Sequence, residues 1–226
     1  MYVERRSLLP GVLLWSRDVG PAGSDFRVLP DGCMDLIWSD GDLLVAGPDT
    51  RAQQVHSPPG TRYAAIRFRP GVGPAILGVP ADELRDARVP LSAMWPAARI
   101  RRLTALIAAA PDPARAIETA VAGEAPPPDP LVGEIVRRVA AGAAVRDVAR
   151  AVHLSERQLH RRCLAAFGYG AKTLHRILRL NAALDLARGG RDLAAVAADT
   201  GYADQAHLTR DTRALSGVPP SVLLAG

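Results

Sequence analysis

The spacing of apolar residues changes along the chain, and the change separates two kinds of structure. Up to about residue 95 the apolar positions fall in short runs closed by turn residues. Val12 to Trp15 is one, and Phe26 to Leu29 is another, ending at Pro30-Asp31-Gly32. Cys33 to Trp38, Asp40-Gly41 and Leu43-Leu44-Val45 form a hairpin signal, with Asp-Gly suited to a type I′ turn. Tyr63 to Phe68 alternates and stops at Arg69-Pro70-Gly71. Several short strands with regular turns predict a small barrel or sandwich. Short helical pieces follow at Val72 to Leu77 and Ala81 to Leu84. Ile100, Leu103, Leu106 and Ile107 then mark one face of a helix from about Ala97 to Ala110. Pro111-Asp112-Pro113 breaks it, and Ala114 to Ala122 is a second helix. This hairpin either packs on the β-domain or forms a dimer interface. Gly123 to Pro130 is proline-rich and reads as a semi-rigid spacer.

From residue 131 onward the helical period dominates, and one unit occurs twice. Val148-Ala149 returns as Val196-Ala197, Leu159-His160-Arg161 as Leu208-Thr209-Arg210, and Phe167-Gly168 as Ser216-Gly217. Each copy predicts a short helix, a tight turn and a longer helix, which is the helix-turn-helix pattern. In the first copy Val145 to Val152 is the scaffold helix. Ser155 is an N-cap, and Glu156 to Phe167, closed by Gly168, is the recognition candidate. In the second, Leu193 to Asp199 and Asp204 to Leu215 play these parts, with Gly217 as the cap. Between them Ala171 to Arg188 predicts a helix about 27 Å long at 1.5 Å per residue. Such a rod could hold two recognition helices roughly one DNA turn, about 34 Å, apart.

Helical spacing places Arg157, His160 and Arg161 together on the outer face of the first recognition helix, with Leu159 and Cys163 turned inward. The second helix offers Gln205, Thr209 and Arg210. Arginine can bridge guanine O6 and N7, glutamine suits adenine, and histidine and threonine can reach other base-edge groups. Ser155, Arg162, Lys172, Arg176 and Arg179, with Arg137 and Arg138, are candidates for backbone phosphates. The charge distribution agrees. Residues 131–226 hold 14 Arg+Lys against 8 Asp+Glu, whereas residues 1–130 hold 14 against 15, so the excess sits on the repeated half.

The stretch Val145 to Val222 resembles the double helix-turn-helix domain of AraC/XylS-type transcriptional regulators. The residues that carry the resemblance include Val148-Ala149, Leu154 to Arg161, Gly168, Arg179-Leu180 with Ala183, Val196-Ala197, Thr200-Gly201-Tyr202, Leu208-Thr209-Arg210 and Gly217 to Pro220. It covers about the last 95 residues. It implies binding of double-stranded promoter DNA in tandem major grooves, with the family's base-reading positions falling on Arg157, His160, Arg161, Gln205, Thr209 and Arg210. Departures occur at Cys163 and Thr212, where the family usually has a bulky aromatic, and at Asp211, an acid beside Arg210. They predict a looser, weaker second unit. Leu29 to Trp38, Pro58-Pro59-Gly60 and Ile66 to Gly71 resemble the sensor domain of some of these regulators, which implies a small-molecule effector and homodimerisation.

The expected architecture is therefore α+β and multidomain. A β-rich sensor domain (1–95) precedes a helical hairpin (96–122), a linker (123–130) and an all-α double helix-turn-helix domain (131–226). The expected function is sequence-specific regulation of transcription. The alternative is a ligand- or protein-binding module whose DNA affinity is weak or lost. A cupin-type metal site is disfavoured because only His56 of the five histidines lies in the β half. No nucleotide-phosphate loop, nucleophile elbow or carboxylate pair suggests an enzyme or a cofactor. Trp15, Cys33, Trp38, Tyr63 and Arg67 are candidates for lining a ligand pocket, with Arg67 a partner for an anion and Cys33 a reactive thiol or an inert strand residue. Two cysteines in different predicted domains make no disulfide framework. Pro10 and Gly11 interrupt the only stretch resembling a signal peptide, and no apolar run reaches the ~20 residues of a membrane span, so a cytoplasmic protein is expected.

Overall fold

The computed structural model describes residues 1–123 and 125–225. Its β-strands are β1 (Tyr2–Arg6), β2 (Val12–Asp18), β3 (Ser24–Val28), β4 (Met34–Ser39), β5 (Asp42–Ala46), β6 (Gln53–Ser57), β7 (Arg62–Phe68) and β8 (Arg88–Pro90). An antiparallel six-stranded sheet runs β1-β2-β7-β4-β5-β8, and β3 pairs with β6 in a second sheet. The expected hairpin turn is present, since Asp40 and Gly41 both have positive φ, 51° and 97°.

Cross-strand register gives the large sheet two different faces. Leu14, Ile66, Leu36 and Val45 stand in one row and are fully buried. Against that face pack α1 (Gly73–Leu77), α2 (Ala97–Ala109) and α3 (Pro113–Ala122), through Leu77, Leu103, Ile107, Ile117 and Val121. The helical hairpin is thus part of the N-terminal domain rather than a separate unit. Each of these side chains contributes roughly 1.5–3 kcal/mol by leaving water, and the sheet cannot bury its row without them. Polar ties complete the attachment. Glu118 on α3 is buried, pairs with Arg115, and accepts from the Ser7 hydroxyl and from the Leu8 amide at 2.6 Å. Arg5 on β1 donates to Asp112, the N-cap of α3, at 2.7 and 2.9 Å.

The C-terminal half has α4 (Pro130–Ala140), α5 (Val145–Ala151), α6 (Glu156–Phe167), α7 (Ala171–Arg188), α8 (Leu193–Asp199), α9 (Gln205–Ser216) and α10 (Pro220–Leu224). One continuous core, including Ile135, Val148, Leu159, Leu174, Ile177, Leu180, Val196, Leu208 and Leu215, runs through both units along α7. The turns between paired helices are cut by sequence-local signals. Ser155 and Gln158 form a capping box, the Asp204 carboxylate accepts from the His207 amide at 2.6 Å, and α6 and α9 end on Gly168 and Gly217 in left-handed conformation.

The linker does not hold two separate bodies apart, because the domains touch directly. Leu29 packs on the helical core. The Asn181 amide on α7 donates to the Pro30 carbonyl at 2.8 Å, and the Ala52 N–H donates to the Leu215 carbonyl at 2.7 Å. Asp129, at the end of the linker, accepts from the Leu131 amide at the start of α4 and pairs with Arg162.

Candidate nucleic-acid interface and β-domain cavity

The exposed N-terminal part of each recognition helix carries the residues that helical spacing had placed there. Arg157, His160 and Arg161 on α6 and Gln205 and Arg210 on α9 are exposed, and Thr209 is half-exposed. Among the described residues none of these six makes an ion pair or a side-chain hydrogen bond, and the His160 ring lies against Gly170. Leu159 and Cys163 are turned inward and fully buried. Between the two helices α7 runs 18 residues without a break.

The phosphate candidates fare differently. Lys172 is exposed, and among the described residues it has no ion pair. Ser155 is exposed, but its hydroxyl serves the cap, accepting from the Gln158 amide at 3.3 Å and donating to Gln158 Oε1 at 2.8 Å. Arg162 is paired with Asp129. Arg137 and Arg138 both pair with Glu134. Arg176 and Arg179 converge on Asp211, Arg179 reaching it at 3.3 Å. The Arg179 guanidinium also stacks 3.8 Å from the Tyr202 ring centroid, and its side chain is only 17% exposed. Arg162, Arg176 and Arg179 therefore act first as structural cations; each is committed before any nucleic acid arrives.

Asp211 corrects a second expectation. It is buried, and its carboxylate also accepts from the Tyr202 hydroxyl at 3.1 Å, so it faces α7 rather than Arg210. The second unit is not loosened at Thr212 either. This side chain is fully buried and returns its hydroxyl to the Leu208 carbonyl at 2.8 Å, which satisfies the polar atom that an aromatic would lack. His207, unassigned from sequence, braces Tyr202 edge-on with ring centroids 5.1 Å apart.

The second face of the large sheet, opposite β3 and β6, encloses a cavity of about 260 Å³. Trp15, Cys33, Tyr63 and Arg67 line it as expected candidates, joined by Tyr2, Phe26, Ile37 and Val55, among others. Trp38 does not. On β4 it shares the parity of Leu36, and it packs in the helix-covered core. Arg67 is not a free anion site. Its Nε donates to Asp35 at 3.0 Å, its Nη1 lies 3.7 Å from Asp31, and Trp15 Nε1 donates to the same Asp35 at 2.7 Å. Burial opposes the charge on Arg67, but Asp35 and Asp31 outweigh it and push its pKa upward. Burial raises the Asp35 carboxyl, against the pull of Arg67 and Trp15. Burial, with Asp31 beside it, also pushes the Cys33 thiol well up, so a reactive thiolate is not what this site presents. Asp31, Asp35, Asp49 and Arg88 carry no local signal in the sequence, because charged residues scattered over loops and strands show no pattern of their own. The cross-strand register places Asp35 opposite Arg67 and so identifies that pair.

Among the described residues no group of three or more His, Cys, Asp or Glu is placed to hold a metal ion, and no helix is long and apolar enough to cross a membrane.

Two helix-turn-helix units thus share a common rod behind a two-sheet N-terminal domain. Residues 148–226 match the model of a helix-turn-helix domain family, and residues 12–90 match a domain of unknown function (DUF6597). No curated protein matches the chain. Among solved structures, ToxT from Vibrio cholerae at 1.65 Å resolution is similar with a TM-score of 0.53 and 10% identity, over 96% of this chain and 98% of that one. Wild-type ToxT bound to an unsaturated fatty acid is similar at a TM-score of 0.51 and 12% identity, over 97% and 96% of the two chains.

Proposed function

We propose that the chain is a transcriptional regulator of the AraC/XylS type that reads promoter DNA with α6 and α9 in successive major grooves, and that a small molecule in the β-domain cavity modulates the reading. The base-contacting residues are Arg157, His160 and Arg161 in the first groove and Gln205, Thr209 and Arg210 in the second. Lys172 reaches a phosphate, and Arg176, half-exposed next to Asp211, serves a second phosphate once its ion pair is shared. The observation that carries the reading is the contrast within each helix. Among the described residues those at base-reading spacing have no ion pair and are exposed or half-exposed, while nearly every other cation of this half is held by an acid. A generally charged surface would not sort its arginines in this way. The similarity to a protein solved with a bound fatty acid supports an effector role for the cavity.

Selection of bound sites from a random duplex pool with the full chain, followed by a salt series, tests the reading. Specific binding weakens with a log-log slope near −0.9 per phosphate neutralised. Arg161→Ala costs about 1–3 kcal/mol on the selected site and relaxes preference at one position. An equal loss on every duplex would refute base reading by Arg161. Failure to enrich any site would leave the alternative, a ligand- or protein-binding module without useful DNA affinity.

A further inference from the structure

The cavity and the DNA-binding half share walls. In the segment Leu29–Cys33 the alternate residues Leu29, Asp31 and Cys33 line the cavity. The residues between them face the other way: the Pro30 carbonyl accepts from Asn181 of α7, and Gly32 lies against Leu174. Leu29 touches both sides, lining the cavity and packing on the helical core. A second loop does the same. Gly47 and Asp49 line the cavity, while Pro48 packs on Gly168, the cap of α6, and Ala52 bonds Leu215 near the end of α9. Two arginines reinforce these ends. Arg85 Nη1 donates to the Gly168 carbonyl at 3.2 Å, and Arg27, between the cavity-lining Phe26 and Val28, donates to the Ser216 carbonyl at 2.6 Å. The β-domain therefore grips the C-terminal ends of both recognition helices at once, leaving their base-reading halves free.

The lining also defines the occupant. The walls are mainly apolar, from Phe26, Val28, Ile37, Leu44 and Val55. Three acids, Asp31, Asp35 and Asp49, and three arginines, Arg17, Arg67 and Arg88, share the lining. Arg67 is held by Asp35 and Asp31, and Arg88 by Asp49 at 2.7 Å. Arg17 lies 3.8 Å from the centroid of the Phe26 ring and donates to Ser24 at 2.8 Å. The three acids and three arginines cancel in formal charge, so an ion entering the cavity gives up its hydration for no net attraction, whereas an uncharged, mainly apolar ligand gives up little. The volume is at the small end for ligand sites.

We propose that the cavity takes a small, uncharged, largely apolar molecule, and that its occupancy tightens the grip of the two loops on α6 and α9. A ligand that contacts Leu29 gains from the wall only while that wall is supported by the helical core. It therefore binds the docked arrangement better than an undocked one and shifts the population toward it. For DNA, this inference rests on the regulator reading above: tighter docking holds the two recognition helices at a single separation. The docking itself can be measured without DNA.

The test uses the full chain and three probes that share one ring system: 1-naphthol, 1-naphthoate and 1-naphthylmethylammonium. Calorimetry is expected to show 1-naphthol binding at least about tenfold more tightly than either ion, a difference near 1.4 kcal/mol. Ile37→Phe and, separately, Val55→Phe fill the cavity and abolish that binding in whichever variant keeps the wild-type circular dichroism. Hydrogen exchange of the Ala52 amide, which reports its bond to Leu215, slows several-fold when 1-naphthol is bound. The proposal is overturned if 1-naphthol does not bind, if either ion binds as well, if binding survives in a folded filled variant, or if Ala52 exchange is unchanged in the complex. Because none of these readouts involves DNA, a failure here and a failure to select DNA sites are separate results.

Discussion

Replacing Asp211 with alanine is the most informative single perturbation, because two accounts of this acid predict opposite results. If it were a surface charge beside Arg210, its removal would leave stability unchanged and strengthen DNA binding. The structure instead makes it the acceptor for Tyr202, Arg176 and Arg179. Without the carboxylate, the Tyr202 hydroxyl stays buried with no acceptor, at a cost of about 1–3 kcal/mol. Arg179 is left as a nearly buried cation, and breaking a buried pair from one side costs about 3–5 kcal/mol. Arg176 is 41% exposed and can rehydrate, so it adds little. These contributions overlap, and the expected loss is about 3–5 kcal/mol. Urea titration of the full chain, followed by circular dichroism, measures it as a lowered midpoint at similar slope. Combining Asp211→Ala with Tyr202→Phe should be less than additive by about 1 kcal/mol, since the second change removes a group that the first has orphaned. A loss below about 1 kcal/mol, with improved DNA affinity, would refute the hub.

Two further predictions concern groups away from the recognition helices. Burial opposes the charge on Glu118, but Ser7, the Leu8 amide and Arg115 outweigh it and hold the carboxyl below its ordinary value of 4.5. A depressed folded pKa contributes stability that is present above pH 4.5 and lost as the pH falls through the folded value. Glu118→Gln should therefore destabilise the chain at pH 7, and that loss should shrink as the pH falls below 4.5, as read by urea midpoints; a loss that does not change with falling pH would remove the ionic explanation. The Tyr169 hydroxyl is buried and has no hydrogen-bond partner among the described residues. Tyr169→Phe keeps the ring and removes the desolvated polar atom, so stability should rise by about 1 kcal/mol in the same assay, and a comparable fall would reveal an acceptor, such as a bound water, at that oxygen.

The helical half was legible because its signals are local. Ser155, Asp204, Gly168 and Gly217 cut α6 and α9 within a residue of where the caps stand in the sequence, and α7 begins and ends at the expected residues. The front half was legible only where strands carry apolar residues. β1, YVERR, is exposed throughout, and β6, QQVHS, is mostly polar. Both are strands because a neighbouring edge offers them hydrogen bonds, a reason absent from their own residues. The same limit applies to Trp38, since a strand's period of two assigns its face only after the register with β7 is known.

Composition, periodicity and repetition were enough to define two helix-turn-helix units, the rod between them and the six side chains that face outward, because a helix fixes the directions of its own neighbours. Which charges are free to meet a ligand or a phosphate was decided only by tertiary structure. Asp211 meets Arg176 from 35 residues away, Asp35 meets Arg67 from 32, and Asp129 meets Arg162 from 33. Coulomb attraction acts through space, and pairs this far apart in the chain are made by the packing of sheets and helices, not by the spacing of letters.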